Sequence, residues 1–431
     1  MSGSGAAADP EDTSAPSPAR GRAAASDHVL SQVVREQSGR VVAALAASLG
    51  SLDVAEESVA EAIEEALRAW RKAGIPQNPG AWLTQAARHN ALDRLRREKR
   101  YRTKLTDLQP GADSTSALPE EAWSNPSAEV DDRLPLLFGC CHPALAPDAQ
   151  LALTLRAVCG LTTAQIARAT FSTEPATAQR IVRAKRKIGA TGIPLRIPDS
   201  TERAPRLDIV LTIVSVMYNE AHFVRGGDAA ADRDLADDAL WLADVVATAL
   251  PHEPEAHGLL ALLLFHRARE SARSAGGELV LLVDQDRSRW DQNLIGRARI
   301  ELELAARLRR PGRWQLQAAI AACHADAETA AATDWLQVLV LYDLLLGHDA
   351  SPVVRLNRAV ALDQVGAPVA ALAEVDALQA ELGRAHLWHA VRAHLLRRLG
   401  RHDEAFAADR RALELTANDA ERRLLASRSG R

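Results

Sequence analysis

Aromatic residues make up only 4% of this 431-residue chain, and it holds four cysteines and two methionines. Four cysteines in a chain this long cannot form the dense disulfide framework of a small secreted domain, so a reducing, cytoplasmic setting is expected. No stretch approaches the 18 uncharged apolar residues that a membrane-spanning helix needs. The first residues are Ser, Ala, Pro and Gly with scattered charges and lack the apolar middle of a signal peptide. Residues 1–27 therefore read as a disordered tail. Glycine-rich phosphate loops, nucleophile elbows and alternating strand patterns are missing as well, which removes the common signatures of nucleotide-dependent enzymes and hydrolases.

What is present is a helix-forming alphabet of Ala, Leu, Arg and Val, with 47% hydrophobic residues, enough to build real cores. An all-α protein of about three domains follows, at roughly 150 residues each. The net charge of −4 argues on average against a nucleic-acid binder. The average hides a segregation of charge. Residues 53–65 hold six acids and no base, residues 71–104 ten bases and two acids, and residues 180–187 five bases and no acid.

Pro, Gly and Ser clusters divide the chain. Helical patterns over 28–105 end at an acidic, aperiodic linker, residues 106–127, and resume over 128–190. Residues 191–206 hold another Pro-rich break, and a third helical region runs from 207 to 431 with interruptions at Gly226-Gly227, Gly276-Gly277 and Pro311-Gly312. Near its end Ala359, Gly366 and Ala371 recur 34 residues later as Ala393, Gly400 and Ala405. That is the period of tetratricopeptide (TPR) repeats, helix pairs that bury their faces only by stacking on neighbours.

Two helices are predicted within LTTAQIARATFSTEPATAQRIVRAKRKI, residues 161–188. Thr162 caps the first. Thr173 caps the second, with Pro175 in its first turn, where a missing N–H costs nothing. Thr177, Ile181, Ala184 and Ile188 form one stripe for the core, leaving Gln179, Arg180, Arg183 and Lys187 on the opposite side. An apolar back and a basic, polar front are what a helix-turn-helix recognition helix needs in the major groove. Lys185 and Arg186 would lie toward phosphates.

A second basic helix is expected over Trp82–Arg100 after a Pro79-Gly80 break. Leu83, Ala87, Ala91 and Leu95 form its stripe, and Arg88, Arg94, Arg96, Arg97, Lys99 and Arg100 crowd the rest. Trp82 suits core packing or stacking on an unpaired base. The acidic helix before it, Asp53–Trp70, would repel phosphates and so suggests a basic protein partner.

Together these segments resemble an extracytoplasmic-function (ECF) sigma factor. DVAEESVAEAIEEALRAW at 53–70 looks like region 2.2, NPGAWLTQAARHNALDRLRR at 78–97 like regions 2.3–2.4, and residues 133–188 like region 4. LPLLFGCCHPAL, SVMYNEAHF and LLVDQDRSRWDQNLI extend the likeness to the subgroup with a long TPR-containing extension. The resemblance implies that Asp53, Glu56, Glu57 and Glu61 dock on the β′ clamp helices of core RNA polymerase, with the β subunit a further partner. Ala60 stands where the family commonly has Gln, so docking leans on the three glutamates. Trp82, Arg88, His89, Asn90, Arg94, Arg96 and Arg97 would handle the −10 element of promoter DNA, with His89 where the family often has Asn. Gln179, Arg180, Arg183, Lys185, Arg186 and Lys187 would read the −35 element. The linker would follow the RNA path of polymerase, and the extension would hold a regulatory protein.

Three constellations suggest chemistry without supporting it. Cys140, Cys141 and His142 with Cys159 lack a second CxxC pair, so buried structural cysteines are expected and no metal. His386, His389 and His394 have no carboxylate cluster beside them. Asp284, Asp286 and Asp291 around Trp290 read as a buried polar network that fixes helix packing. No enzyme, cofactor or membrane role is expected. The rival reading is a TPR-containing helix-turn-helix regulator that acts without replacing sigma.

Overall fold

The computed structural model describes residues 18–106, 133–170, 172–223, 235–275, 278–416 and 419–429. It is helical almost throughout and divides into two compact units at Ile209/Val210. No described helix is long and apolar enough to cross a membrane.

The first unit begins with α1 (Pro18–Leu49), α2 (Leu52–Ala73) and α3 (Pro79–Thr106), which pack on one another. Helix α1 takes in residues 18–27, which were expected to belong to a disordered tail. An Ala-rich run behind a proline at the first helical position favours the helix there. Residues 1–17 lie outside the described residues. Ser51 caps α2 by accepting from the Val54 N–H at 3.4 Å, and Gly74 at φ 91° ends it. The Pro79-Gly80 pair opens α3 rather than preceding it. Asn78 supplies the cap, accepting from Ala81 N–H at 3.0 Å, and proline at the first position loses no bond.

The expected linker over 106–127 lies outside the described residues apart from Thr106, which closes α3. The chain resumes with α4 (Arg133–Cys140), α5 (Pro147–Ala157), α6 (Thr163–Ala169) and α7 (Glu174–Thr191). Helix α1 packs against α4 and α5 as well as against its own neighbours. The approach is close: a Cβ on Gly39 of α1 would stand 2.8 Å from the Val158 carbonyl oxygen. The break over 191–206 is shorter than its prolines suggest, because α8 (Ser200–Phe223) starts inside it and carries Pro205 within the helix. Asp199 caps that start through Thr201 N–H at 3.1 Å, and buried Arg206 donates to the Phe138 carbonyl at 2.6 Å.

The second unit continues with α9 (Leu235–Ala249) and α10 (Pro254–Ala268). Helix α10 is apolar nearly all round and buried along its length, as a helix enclosed by neighbours must be. It packs on α9, α11 (Gln292–Arg307) and α12 (Arg313–Asp326). Two-residue strands β1 (Ser274–Ala275) and β2 (Glu278–Leu279) pair between α10 and α11. Glu255 of α10 caps α12, its carboxylate accepting from the N–H groups of Trp314 at 2.9 Å and Gln315 at 3.2 Å. Burial pushes this carboxyl's pKa up while the two amides hold it down. The N-terminal end of a helix favours an ionised acid.

Helices α13 (Trp335–Leu345), α14 (Pro352–Gln364), α15 (Pro368–Asp376), α16 (Gln379–Leu382), α17 (His386–Arg398), α18 (His402–Leu415) and α19 (Asp419–Ser429) complete the chain. The α14–α15 and α17–α18 pairs start 34 residues apart. Their turns are built alike. Ala367 N–H donates to the Leu362 carbonyl at 3.1 Å and Arg401 N–H to the Leu396 carbonyl at 2.9 Å, with Gly366 and Gly400 at φ 92° and 75°. Ala359, Ala371, Ala393 and Ala405 are all buried where the paired helices meet.

A Cβ on Gly258 of α10 would stand 2.6 Å from the Gln315 backbone nitrogen, whereas one on Gly296 of α11 would meet nothing within 4 Å. Gly258→Ala is expected to destabilise the protein by about 1–3 kcal/mol by forcing α10 and α12 apart. Gly296→Ala should stabilise by about 0.5–1 kcal/mol through helix propensity. Urea denaturation followed by circular dichroism measures both; a Gly258→Ala variant as stable as the parent would refute the close contact.

Candidate nucleic-acid interface

The helix-turn-helix forms through its caps. Thr162 accepts from Gln165 N–H at 3.2 Å while the Gln165 carbonyl accepts from Thr162 N–H at 2.9 Å, a reciprocal box. Thr173 accepts from Ala176 N–H at 3.4 Å at the start of α7, with Pro175 in the first turn. Ser172 N–H closes the connection onto the Ala167 carbonyl at 2.9 Å. Thr177, Ile181, Ala184 and Ile188 are buried, and Gly192 in the left-handed conformation (φ 64°) ends the helix. Gln179, Arg183, Arg186 and Lys187 are exposed, and Arg180 is half-buried. Arg183 donates to Gln179 Oε1 at 3.3 Å, Arg180 lies 3.6 Å from Asp148, and Lys187 donates to the Ala144 carbonyl.

On α2, buried Leu52, Ala55, Val59, Ala62, Ala66 and Trp70 leave Asp53, Glu57 and Glu61 exposed and Glu56 half-buried. On α3, Leu83, Ala87 and Ala91 are buried, and Leu95 is partly buried. Trp82 and Trp70 meet in a T-shaped arrangement, ring centroids 5.6 Å apart, so Trp82 packs on a buried tryptophan. His89, Arg96 and Arg97 are exposed and Arg88 is half-buried. His89 and Arg96 each stand 3.5 Å from Asp93. Asn90 is buried, with its amide nitrogen unbonded among the described residues.

The expected acidic and basic surfaces meet one another. Arg94 pairs with Glu57 and, at 3.2 Å, with Glu61. Lys185, expected near phosphates, instead pairs with Glu56 and stands 3.5 Å from Asp53. Its side chain is only 15% exposed and that of Glu56 22%. The reason is complementarity: α7 carries bases alone over 180–187, and packing of α1 on α4 and α5 brings that run to the acid-only face of α2. Sequence reasoning assigned the two faces to separate partners and missed their pairing. The opposite signs of the two runs were the signal available for it.

The remaining constellations have local explanations. Cys140, Cys141 and Cys159 are buried free thiols. Desolvation pushes the Cys141 thiol up to about 12 against the opposing hydrogen bond of Thr154. No cluster of metal-ligating side chains occurs among the described residues. His386 lies 3.0 Å from Glu421, His389 bonds the Gly383 carbonyl at 2.9 Å, and His394 lies 3.2 Å from buried Asp363. The expected buried network of Asp284, Asp286 and Asp291 is not formed: all three are exposed. Asp286 and Asp291 instead cap helical turns through Ser288 N–H and through Asn293 and Leu294 N–H, where solvated carboxylates suffice.

Residues 33–101 match the family Sigma-70 region 2, residues 136–188 match Sigma-70, region 4, and residues 206–306 match a family of unknown function, DUF6596. The chain is also 43% identical over 373 residues to "Uncharacterized protein R00370" of Rhizobium meliloti (strain 1021), an alignment covering 86% of this chain and 88% of that protein. No solved structure matches the chain.

The Lys185–Glu56 contact sets a measurable coupling. A double-mutant cycle of Lys185→Met and Glu56→Gln should give about 1–2 kcal/mol, between the values typical of exposed and buried pairs. The exposed Arg68–Glu64 pair on α2, at 3.1 Å, should give about 0.3–0.5 kcal/mol. Urea midpoints of the single and double variants measure both, and equal couplings would mean that α7 does not rest on α2 in solution.

Proposed function

Because the chain belongs to the family that includes the Rhizobium meliloti protein and carries sigma-70 region 2 and region 4, we propose that it is an ECF-type sigma factor. It binds core RNA polymerase and directs initiation at promoters with matching −35 and −10 elements. The observation that carries this reading is the order of the two sigma domains in one chain, residues 33–101 and then 136–188. The exposed row Gln179, Arg183, Arg186 and Lys187 on α7 supports it, since these side chains suit base edges and phosphates in a major groove. Arg88, His89, Asn90, Arg94, Arg96 and Arg97, with Trp82, are the −10 candidates on α3. Asp53, Glu56, Glu57 and Glu61 are the polymerase candidates on α2.

In the observed arrangement the two assignments compete. Lys185 and Arg94 neutralise the acids that polymerase would need, and those acids hold two bases that DNA would need. Engagement therefore requires α7 to leave α2, exchanging intramolecular ion pairs for pairs with polymerase and promoter. The paired helices at 34-residue offset support a TPR-like module over the C-terminal region, with a regulatory protein as its partner.

Run-off transcription with purified core polymerase on a genomic promoter library tests the first reading: the full-length chain is expected to yield promoter-specific transcripts, and their absence refutes it. Arg183→Ala should lower −35 discrimination by about 1–3 kcal/mol, the worth of one bidentate base contact. An equal loss on all sequences would assign Arg183 to phosphates. Gly39→Leu, which cannot fit beside the Val158 carbonyl, should raise the free chain's affinity for a −35 duplex severalfold. Unchanged affinity in a gel-shift titration would show that the contact does not restrain α7.

A further inference from the structure

The second unit contains a half-buried guanidinium to which no carboxylate is bonded among the described residues. Arg269 follows the last residue of α10, and its Nε is closed off from solvent and bonded to nothing among the described residues. Burial, with Arg273 and Arg287 adding repulsion and Tyr218 opposing them, pulls its pKa down to about 10. It is still a cation at neutral pH. Guanidinium groups drawn partly out of solvent are normally paired, because an unpaired charge is costly to bury.

Arg269 lines a cavity of about 570 Å³ between α10, α12, α13 and α14, within the size range of small-molecule sites. Trp290 lines the same cavity and is only 5% exposed, with its indole Nε1–H also bonded to nothing among the described residues. Buried donors without partners are rare in folded proteins, and here two belong to one cavity. Arg287 lies over the Trp290 ring at 4.7 Å and donates to the carbonyls of His324 and Ala327, which fixes the indole from behind. His324 also lines the cavity. Desolvation and the two arginines push its pKa down to about 4, so it is neutral and offers no competing cation at pH 7.

The rest of the wall is mixed: Leu262, Phe265, Ile320, Leu345 and Val354 give it apolar patches on four helices, and His266, Gln317 and Asn357 add polar groups. A carboxylate, Asp349, is among the lining residues, and one of its oxygens already accepts from Ser351 N–H at 3.0 Å. Positive charge, an indole donor and the apolar patches of the wall together suit an anion that carries an apolar part. We propose that this cavity is a binding site for a small organic anion, whose carboxylate or phosphoryl oxygens are held by Arg269 and the Trp290 indole N–H while its apolar part lies along Leu262, Phe265, Ile320 and Val354. The site lies wholly within the second unit and goes beyond the promoter-recognition reading, on which it does not depend.

The test uses the full-length chain, thermal unfolding and isothermal titration calorimetry. Titrants are 4-phenylbutyrate, phenyl phosphate, inorganic phosphate and the neutral 4-phenylbutanamide. At least one organic anion is expected to bind saturably and raise the unfolding midpoint, as any ligand of the native state must. The amide should bind at least tenfold more weakly. Preference between the butyrate and the phosphate distinguishes carboxylate from phosphoryl ligands, and saturation by inorganic phosphate alone would leave the anion contact without an apolar ligand and overturn the proposal. Arg269→Met should weaken the organic anion at least tenfold, with Arg269→Lys retaining part of the affinity. Without ligand, Arg269→Met should unfold at the same temperature as the parent or higher, because it removes a partly enclosed charge that has no partner among the described residues. A marked drop in that midpoint would make Arg269 a packing residue and overturn the proposal. So would failure of both organic anions to bind, equal binding of the amide, or unchanged affinity in Arg269→Met.

Discussion

Lys185 rests between Glu56 and Asp53, and the way α7 meets α2 depends on that contact. The ammonium belongs to the recognition helix and the carboxylates to the helix whose acidity marks it for a protein partner. Their attraction is strengthened by enclosure, since neither Lys185 nor Glu56 is well solvated. The same enclosure makes the contact conditional. Under the proposed function, opposite charges on polymerase and DNA would compete for each partner. Gly39 against the Val158 carbonyl supports the arrangement sterically, because only a residue without a side chain lets α1 lie so near the end of α5. Charge and shape thus act on one contact from two sides.

The second unit is organised differently. Its centre is α10, buried on every face, which requires backbone contact with neighbours instead of ion pairs across a surface. Gly258 gives α12 that proximity, and Glu255 caps the helix it helps to hold. Further along, Gly366 and Gly400 turn the chain in the left-handed region so that buried alanines of successive helices can meet. Between these two parts the helices leave a cavity, and two polar atoms at it, Arg269 Nε and the Trp290 indole Nε1, have no partner among the described residues.

Much of the fold was legible from the residues. Thr162 and Thr173 cap helices because their side chains reach amides three positions on, and Thr177, Ile181, Ala184 and Ile188 are buried because their spacing puts them on one stripe. The 34-residue echo of Ala359, Gly366 and Ala371 corresponds to helix pairs with the same turn hydrogen bonds. Boundaries were less legible. Pro18 and Pro79 open helices, and Pro205 sits within one, where proline suggested breaks. The LLVDQDRSRWDQ segment drew attention for its acids, yet these are exposed caps, and the tryptophan among them is the residue that enters the core.

The sequence alone determined what depends on neighbours within a turn or two: helix class, caps, core stripes, segregated charge and the order of the domains. Only tertiary structure decided which charges meet. Lys185 and Glu56 lie 129 positions apart, and Trp290 and Val354 reach one cavity from separate helical layers. Local spacing states which way a side chain points on its own helix. It carries no information about what another helix presents in return, and pairing, vacancy and burial of charge are properties of that second surface.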